Sequence, residues 1–434
     1  MGPLRTGSLE SLRERNRLRV IDALRTRGAV SRAEIARQTG LSRSTVSSLV
    51  GDLQAAGLVV ERVAEGVAAA GPQGGRPPVL VALDSSAGAI VGLDFGHDSL
   101  RVAISDLSYV VLAEKYVELE VDTAAQDALD TAARLASELI EQVGVERGRV
   151  LAAGMGLPGP IDRESGLVHS QPILPSWVGL DPAAEMEERL GLPVHLDNDA
   201  NVGALGESTF GAGRGTKVMA YLRLSAGIGA GLVINGRPFR GARGIAGEIG
   251  HVLVDPQGPI CRCGNRGCLE TFVAGPALCE LLRRSHGPLT VQDLLRLAKE
   301  GDAGCQRVIN DAGRVVGRAV ADLCNYLNPD LVVVGGDLSV AGDVLLEPLR
   351  EAVRRFAIPA AAEDVEIVAG TLGDRAELLG ALALAGHECE GALTVPVLHT
   401  AHLTADEPVM QSPISLRTAV DSIARKERES AGRA

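Results

Sequence analysis

Four residues in the middle of the chain have the types and spacing of a metal site. His251 is followed, after nine residues, by Cys261-x-Cys263-x4-Cys268. Three thiolates and one imidazole complete a tetrahedral zinc shell, and with all four positions taken the ion would be structural rather than hydrolytic. Gly264 and Gly267 permit the tight turns that aim three sulfurs at one point. The other reading of the same residues is a reduced cysteine loop without an ion. A second chemistry lies near the N-terminus. Ser42, Arg43, Ser44, Thr45, Ser47 and Ser48 are small or basic polar residues at the start of a helical pattern. Such a set reaches base edges and phosphates when the helix enters a major groove.

The elements that position this second set read as a helix-turn-helix. Leu18, Ile21 and Leu24 recur at helical spacing and stop at Gly28. Ser31 and Glu34 form a capping box for a helix that ends at Gly40. Ser42 caps the next helix, whose apolar face is Val46, Leu49, Val50 and Leu53. Two short helices joined by a tight turn after a preceding helix make the motif. Arg32, at the start of the second helix, joins the candidate DNA-binding set. The runs LVVERV and PVLVAL flank a Gly/Ala/Pro-rich loop that carries Arg76. They read as two strands and the tip of a wing, with Arg76 aimed at a minor groove or a phosphate. The same segment reads equally as an interdomain linker.

Charge supports a division of labour along the 434 residues. Residues 1–80 carry net +5 and the remainder net −17. A basic head on an acidic body points to a polyanion partner for the head alone, or to Arg-rich helices that merely solvate a surface. Aromatics are 2%, so the core must be Val, Leu, Ile and Ala. No apolar run is long enough for a membrane helix and the N-terminus lacks a signal-peptide core, which predicts a cytoplasmic protein. The odd count of seven Cys argues against a disulfide framework. Cys279, Cys305, Cys324 and Cys389 stand singly and read as small buried apolar groups.

From about residue 88, strands and helices alternate in two similar sets. The first runs from AIVGLDFG to VLAAGMGLPG and the second from KVMAYLRL to LVVVGG, with Asn235-Gly236 as a hairpin turn. Repeated βββαβ halves around a cleft describe an actin-like, ribonuclease H-like duplicated sugar kinase fold, though periodicity alone also allows another mixed sheet.

Several motifs then coincide. G-E-I-G-H at 247–251 and C-R-C-G-N-R-G-C-L-E at 261–270 resemble the ROK family of bacterial repressors, uncharacterised reading frames and sugar kinases. So do L-D-N-D-A-N at 196–201, G-L-P-G-P-I-D at 156–162 and G-I-G-A-G-L-V-I-N-G at 227–236. The head and the G-G-R-P-P junction resemble the family's repressor branch. The resemblance implies a sugar site: Asn198 as sugar-binding amide, Asp199 at the catalytic base position, Glu248 with His251 as the Glu-x-x-His pair, Glu270 after the last cysteine, and Gly159 on the wall. Carboxylates and an amide suit a polyol, because each can pair with two hydroxyls. His251 would bind zinc through one ring nitrogen and face the sugar with the other.

The departures from the family pattern concern phosphate. Family kinases read D-x-G-G-T, whereas this chain reads Asp94-Phe95-Gly96-His97-Asp98. In the second phosphate loop Ser225-Ala226 replaces Gly-Thr. A carboxylate about 4 Å from a phosphate is repulsive by roughly 1–4 kcal/mol. The expectation is therefore a sugar-responsive transcriptional regulator, a repressor by its branch of the family and no enzyme. It would bind operator double-stranded DNA and a sugar or sugar phosphate, with structural Zn2+, as a homodimer or homotetramer with no membrane role. An active ATP-dependent sugar kinase with an added DNA-binding head is the alternative. The expected division is a winged helix-turn-helix with linker at 1–80, a first α/β lobe at 81–200, a second lobe with the zinc motif at 201–388 and a mobile C-terminal extension at 389–434.

Overall fold

The computed structural model describes residues 9–63, 79–168 and 172–389. Arg76 and the C-terminal extension from residue 390 lie outside the described residues.

The head contains α1 (Leu9–Arg27), β1 (Val30–Ser31), α2 (Arg32–Thr39), α3 (Arg43–Ala55), β2 (Val59–Val63) and β3 (Val79–Leu83). Ser31 caps α2 by accepting from the Glu34 backbone N–H at 3.2 Å. The reciprocal half of the capping box is not made. The Glu34 carboxylate instead accepts from Arg37 and, at 3.1 Å, from Gln38, because partners one turn on along the same helix face compete for it. Gly40 takes the left-handed conformation at φ 65°, and Ser42 caps α3 by accepting from the Thr45 N–H at 3.1 Å. Ile21, Leu24, Ile35, Val46, Leu49, Val50 and Leu53 are buried together. Each such side chain is worth about 1.5–3 kcal/mol of transfer free energy. The β1-β3-β2 sheet is antiparallel, so the apolar runs around the Pro/Gly segment are paired strands of a wing.

The body is built from two sheets of matching topology. The first half comprises β4 (Ala89–Phe95), β5 (Ser99–Asp106), β6 (Val111–Glu118), α4 (Ala125–Val143), β7 (Val150–Leu157), α5 (Pro182–Leu190) and β8 (Val194–Asn198). It is followed by α6 (Asp199–Thr209), β9 (Val218–Leu224), β10 (Ile228–Ile234), β11 (Arg237–Pro238), α7 (Glu270–Val273), α8 (Gly275–His286), α9 (Val291–Lys299) and α10 (Ala303–Leu327). The chain continues through β12 (Leu331–Gly335), α11 (Asp343–Phe356), α12 (Pro359–Asp364), β13 (Glu366–Ala369) and α13 (Ala376–Glu388). Strand orders are β6-β5-β4-β7-β8 and β11-β10-β9-β12-β13. In each sheet an antiparallel hairpin set leads into parallel strands. This is the actin-like fold expected of the repeated halves. The Asn235-Gly236 turn has φ 52° and 74°, both in the left-handed region that a two-residue hairpin needs.

α13 returns from the end of the second half to pack on β4 and β7 of the first sheet and on α6. Contact is backbone to backbone: a Cβ on Gly380 would sit 1.6 Å from the Val202 carbonyl oxygen, and one on Gly154 would sit 1.9 Å from that of Ala381. The core of the head is continuous with this region. Val20, Ile21 and Leu24 share one apolar cluster with Ile90, Ala103, Leu107, Leu378 and Leu382. Arg25 donates to the Leu107 carbonyl at 3.1 Å and lies 4.7 Å from the centre of the Tyr109 ring. Cys279, Cys305, Cys324 and Cys389 are buried, as expected for lone apolar thiols. Among the described residues, no helix is long and apolar enough to cross a membrane.

Candidate functional site

Parallel strands of both sheets end at one cleft of about 570 Å³, and α6 points its N-terminus into it. Carboxyl ends of parallel strands leave loops and helix N-termini free to meet a ligand. Gly159, Asn198, Asp199, Glu248, His251 and Glu270 all line this cleft, so the six residues of the expected sugar site are brought together from four segments of chain. Asn198 caps α6 through its Oδ1, which accepts from the Ala200 N–H, while its Nδ2 donates to the Gly159 carbonyl, both at 2.9 Å. These bonds fix the amide yet leave it one donor and one acceptor position.

The carboxylates differ in their surroundings. Burial pushes Glu248 up to about 7, helped by the negative charges of Asp199 and Glu270. Burial also acts to raise Glu270, but the hydrogen bonds and charge of Arg262 outweigh it and leave the group lowered. Arg262 grips Glu270 with two bonds of 2.8 and 3.0 Å, and the Ile228 N–H adds a third at 3.2 Å. Asp199 accepts from the Ala200 N–H at 2.8 Å and pairs with Arg223 at 3.3 Å.

Beside the cleft, one nitrogen of His251 and the sulfurs of Cys261, Cys263 and Cys268 lie within 4.8 Å of one another. Cys261 Sγ is 3.6 Å from His251 Nδ1, and Cys263 Sγ is 3.7 Å from Cys268 Sγ. A tetrahedron with metal–sulfur bonds of about 2.3 Å and metal–nitrogen bonds of about 2.0–2.1 Å has edges of roughly 3.8 and 3.6 Å. The four groups therefore fit a single tetrahedral ion. The loop closes through Gly267, at φ 69°, where a Cβ would sit 1.6 Å from the Asp255 carbonyl oxygen. His251 Nε2 lies 3.7 Å from Glu248, so the ring stands between the cysteine loop and the cleft.

Residues 90–388 match the model of the ROK family, a stretch that takes in both sheets and the whole cleft. The chain belongs to the ROK family. Residues 14–68 match the MarR family, in agreement with the winged head. The chain is 32% identical over 392 residues to a xylose repressor from Caldicellulosiruptor bescii, covering 87% of this chain and 97% of the relative. A solved ROK family transcriptional regulator, a homologue of the Escherichia coli Mlc protein, superposes with a TM-score of 0.73 at 25% identity, covering 88% of this chain and 98% of that one. A ROK family glucokinase from Streptomyces griseus, solved with glucose and AMPPNP, matches with a TM-score of 0.61 at 30% identity, covering 69% of this chain and all of the kinase. The share left over in that comparison is the size of the head plus the C-terminal segment.

The head presents its candidate contacts on one helix. Ser42, Arg43, Ser44, Ser47 and Ser48 are exposed and Thr45 is half-buried. Ser42 also bonds to the Ser44 and Thr45 hydroxyls at 2.9 and 2.8 Å, so part of this set organises the helix start. Arg32 is engaged inside the head, 2.8 Å from Glu61 of β2 and 3.3 Å from Gln54. At the two segments expected to depart from the kinase pattern, His97 Nδ1 is 2.9 Å from Asp122, and Ser225 is hydrogen-bonded to Asp337.

Two cleft arginines were not singled out from the sequence. Arg262 sits between Cys261 and Cys263, so its position is implied by the loop. Tyr221 and Arg223 share one face of β9 by period-two alternation, which places Arg223 at the strand end that leads into Ser225. Asp197 and Arg240 pair directly behind Asn198. Only the fold brings the β11 loop to that strand end.

Proposed function

We propose that this ROK protein is a sugar-responsive transcriptional regulator whose head binds operator DNA and whose cleft binds a sugar or sugar phosphate. The observation that carries the reading is the union, in one chain, of a winged head with an exposed polar α3 start and a cleft that gathers Gly159, Asn198, Asp199, Glu248, His251 and Glu270. The Cys3His cluster holds structural Zn2+ through His251, Cys261, Cys263 and Cys268, which fixes the ring that faces the cleft. Two-fold operators need two heads, so the working form is a homodimer or homotetramer.

A non-enzymatic role is supported by the phosphate side of the cleft. Phosphoryl transfer needs the γ-phosphate held and its charge neutralised. Here His97 is engaged by Asp122, Ser225 by Asp337 and Asp199 by Arg223, and Asp98 is exposed where a hydroxyl donor would serve. Calorimetry with D-glucose, D-xylose and N-acetyl-D-glucosamine, without nucleotide, should detect one binding sugar. A coupled ATP-consumption assay on the same sample should show no turnover above background. Robust turnover would replace this reading with the sugar kinase. Sugar-driven closure of the cleft is expected to release DNA, by moving the two heads out of register with their half-sites.

Arg43→Ala should weaken operator binding by about 1–3 kcal/mol if the side chain reaches a base. Fluorescence anisotropy at two salt concentrations checks this. Unchanged affinity with an unchanged salt slope would remove Arg43 from the interface.

A further inference from the structure

Beside the cleft Arg223 meets two buried carboxyl groups from two other elements. Asp199 starts α6, Arg223 lies near the end of β9 and Glu377 sits in the first turn of α13. Arg223 Nη1 is 3.3 Å from Asp199 Oδ2, and its Nε donates to Glu377 Oε1 at 3.2 Å. The Tyr221 hydroxyl donates to the same Glu377 oxygen at 3.0 Å. Asp199 and Glu377 are buried, and the Arg223 side chain is 16% exposed where it lines the cleft.

Two buried carboxyl groups converging from independent elements would gather a free cation, because their mutual repulsion in a dry site is otherwise uncompensated. We propose that Arg223 is the cleft's resident cation: its guanidinium takes the place of a soluble divalent ion between Asp199 and Glu377, and makes Asp199 a fixed anchor for sugar hydroxyls. A guanidinium neutralises charge without ever releasing a proton. It also holds one carboxylate oxygen of Asp199 in place. Sugar binding then needs neither nucleotide nor divalent metal at this place. The role as sugar anchor rests on the sugar reading proposed above. The replacement of a free cation does not.

The test uses the full-length, zinc-loaded protein and Mn2+, whose oxygen preference keeps it from competing for the thiolate site. Wild type, Arg223→Lys and Arg223→Met are titrated with Mn2+ by electron paramagnetic resonance, and thermal midpoints are recorded with and without the ion. Wild type and Arg223→Lys should take up no Mn2+ in the cleft. Arg223→Met should bind about one equivalent and be stabilised by it. Its affinity for the best-binding aldose of the panel should fall by about tenfold or more without Mn2+ and recover when Mn2+ is saturating. Should Arg223→Met not fold, Arg223→Gln, which also removes the cation and keeps both carboxyl groups, must show the same uptake. Equal Mn2+ uptake by wild type, or a folded methionine variant that takes up none, overturns the proposal. If no form binds any sugar, wild type included, the sugar reading fails while the Mn2+ comparison still decides the role of Arg223.

Discussion

Cys263→Ser should cost the protein its metal, part of its stability and its sugar affinity together. Backbone hydrogen bonds shape the cysteine loop, from the Cys261 N–H to the Asn265 carbonyl at 2.7 Å and from the Gly267 N–H to the Pro259 carbonyl at 2.8 Å, but no covalent link ties its sulfurs together. Cys263 is exposed, Gly267 stands in a left-handed conformation, and the chain returns to Cys268 only five residues later. An ion would add direct bonds to the three sulfurs and the imidazole nitrogen that lie within 4.8 Å of one another. Loss of a structural metal belongs among the large single-site effects, here on the order of 2–5 kcal/mol. In a domain of this size that is a fall of roughly 5–15 °C in the thermal midpoint. Sugar affinity should drop about tenfold or more, because the ring that faces the cleft would no longer be oriented from behind. Cys324→Ser supplies the comparison. That thiol is buried in α10 away from the loop, so its replacement should lower stability while metal content and sugar affinity hold. Metal analysis, calorimetric unfolding and sugar titration on the two variants decide the matter. Wild-type zinc content with wild-type affinity in Cys263→Ser would sink it.

Lowering the pH from 7 towards 4 should loosen α13 through His387, and replacement by Gln should remove that part of the acid sensitivity. Burial, followed by the positive charges of Arg25, Arg237 and Arg240, pushes the ring down to about 4. An unfolded histidine titrates near 6.5, so the unfolded chain binds a proton first. The contribution is complete above about pH 6.5 and is lost as pH falls through 4. A displacement of roughly 2.5 units corresponds to about 3 kcal/mol. The location gives the effect a direction. Arg25 belongs to α1 of the head, and Arg240 pairs with Asp197, which in turn accepts from the Asn198 backbone N–H at 2.9 Å beside the cleft. Carboxylates and the cysteine site also titrate in acid, so the informative quantity is the difference between wild type and His387→Gln. Urea unfolding at pH 7 and pH 4.5 measures it. Parallel losses in both proteins would contradict the assignment.

Much of the fold was legible because its signals are local. Helix caps at Ser31 and Ser42, apolar periodicity through Val46 to Leu53 and the left-handed turn at Asn235-Gly236 depend on neighbours within one or two turns of chain. The capping box failed by half for the same kind of reason. Glu34 had a choice between a backbone N–H and the side chains of Arg37 and Gln38, and composition does not rank them. The wing was ambiguous from sequence, since a Pro/Gly-rich break between apolar runs specifies a reversal but not the partner strand. Pairing of β1 and β2 with β3 resolved it.

The site divides along the same line. Ligand types and spacing named His251, Cys261, Cys263 and Cys268 as a cluster, because a short loop can bring only its own residues to an ion. The ROK motifs likewise carried Asn198, Asp199, Glu248 and Glu270 to one cleft. What the sequence by itself could not determine is the company these residues keep. Arg223 reaches Asp199 and Glu377, 154 positions further along the chain, because two sheets and two crossing helices converge at one floor. Arg240 reaches Asp197, and the head reaches α13, by the same long-range packing. Charge pairing across the interior depends on which strand ends face each other. Only the tertiary structure decides that, since burial turns separate charges into strongly interacting ones after the chain has closed around them.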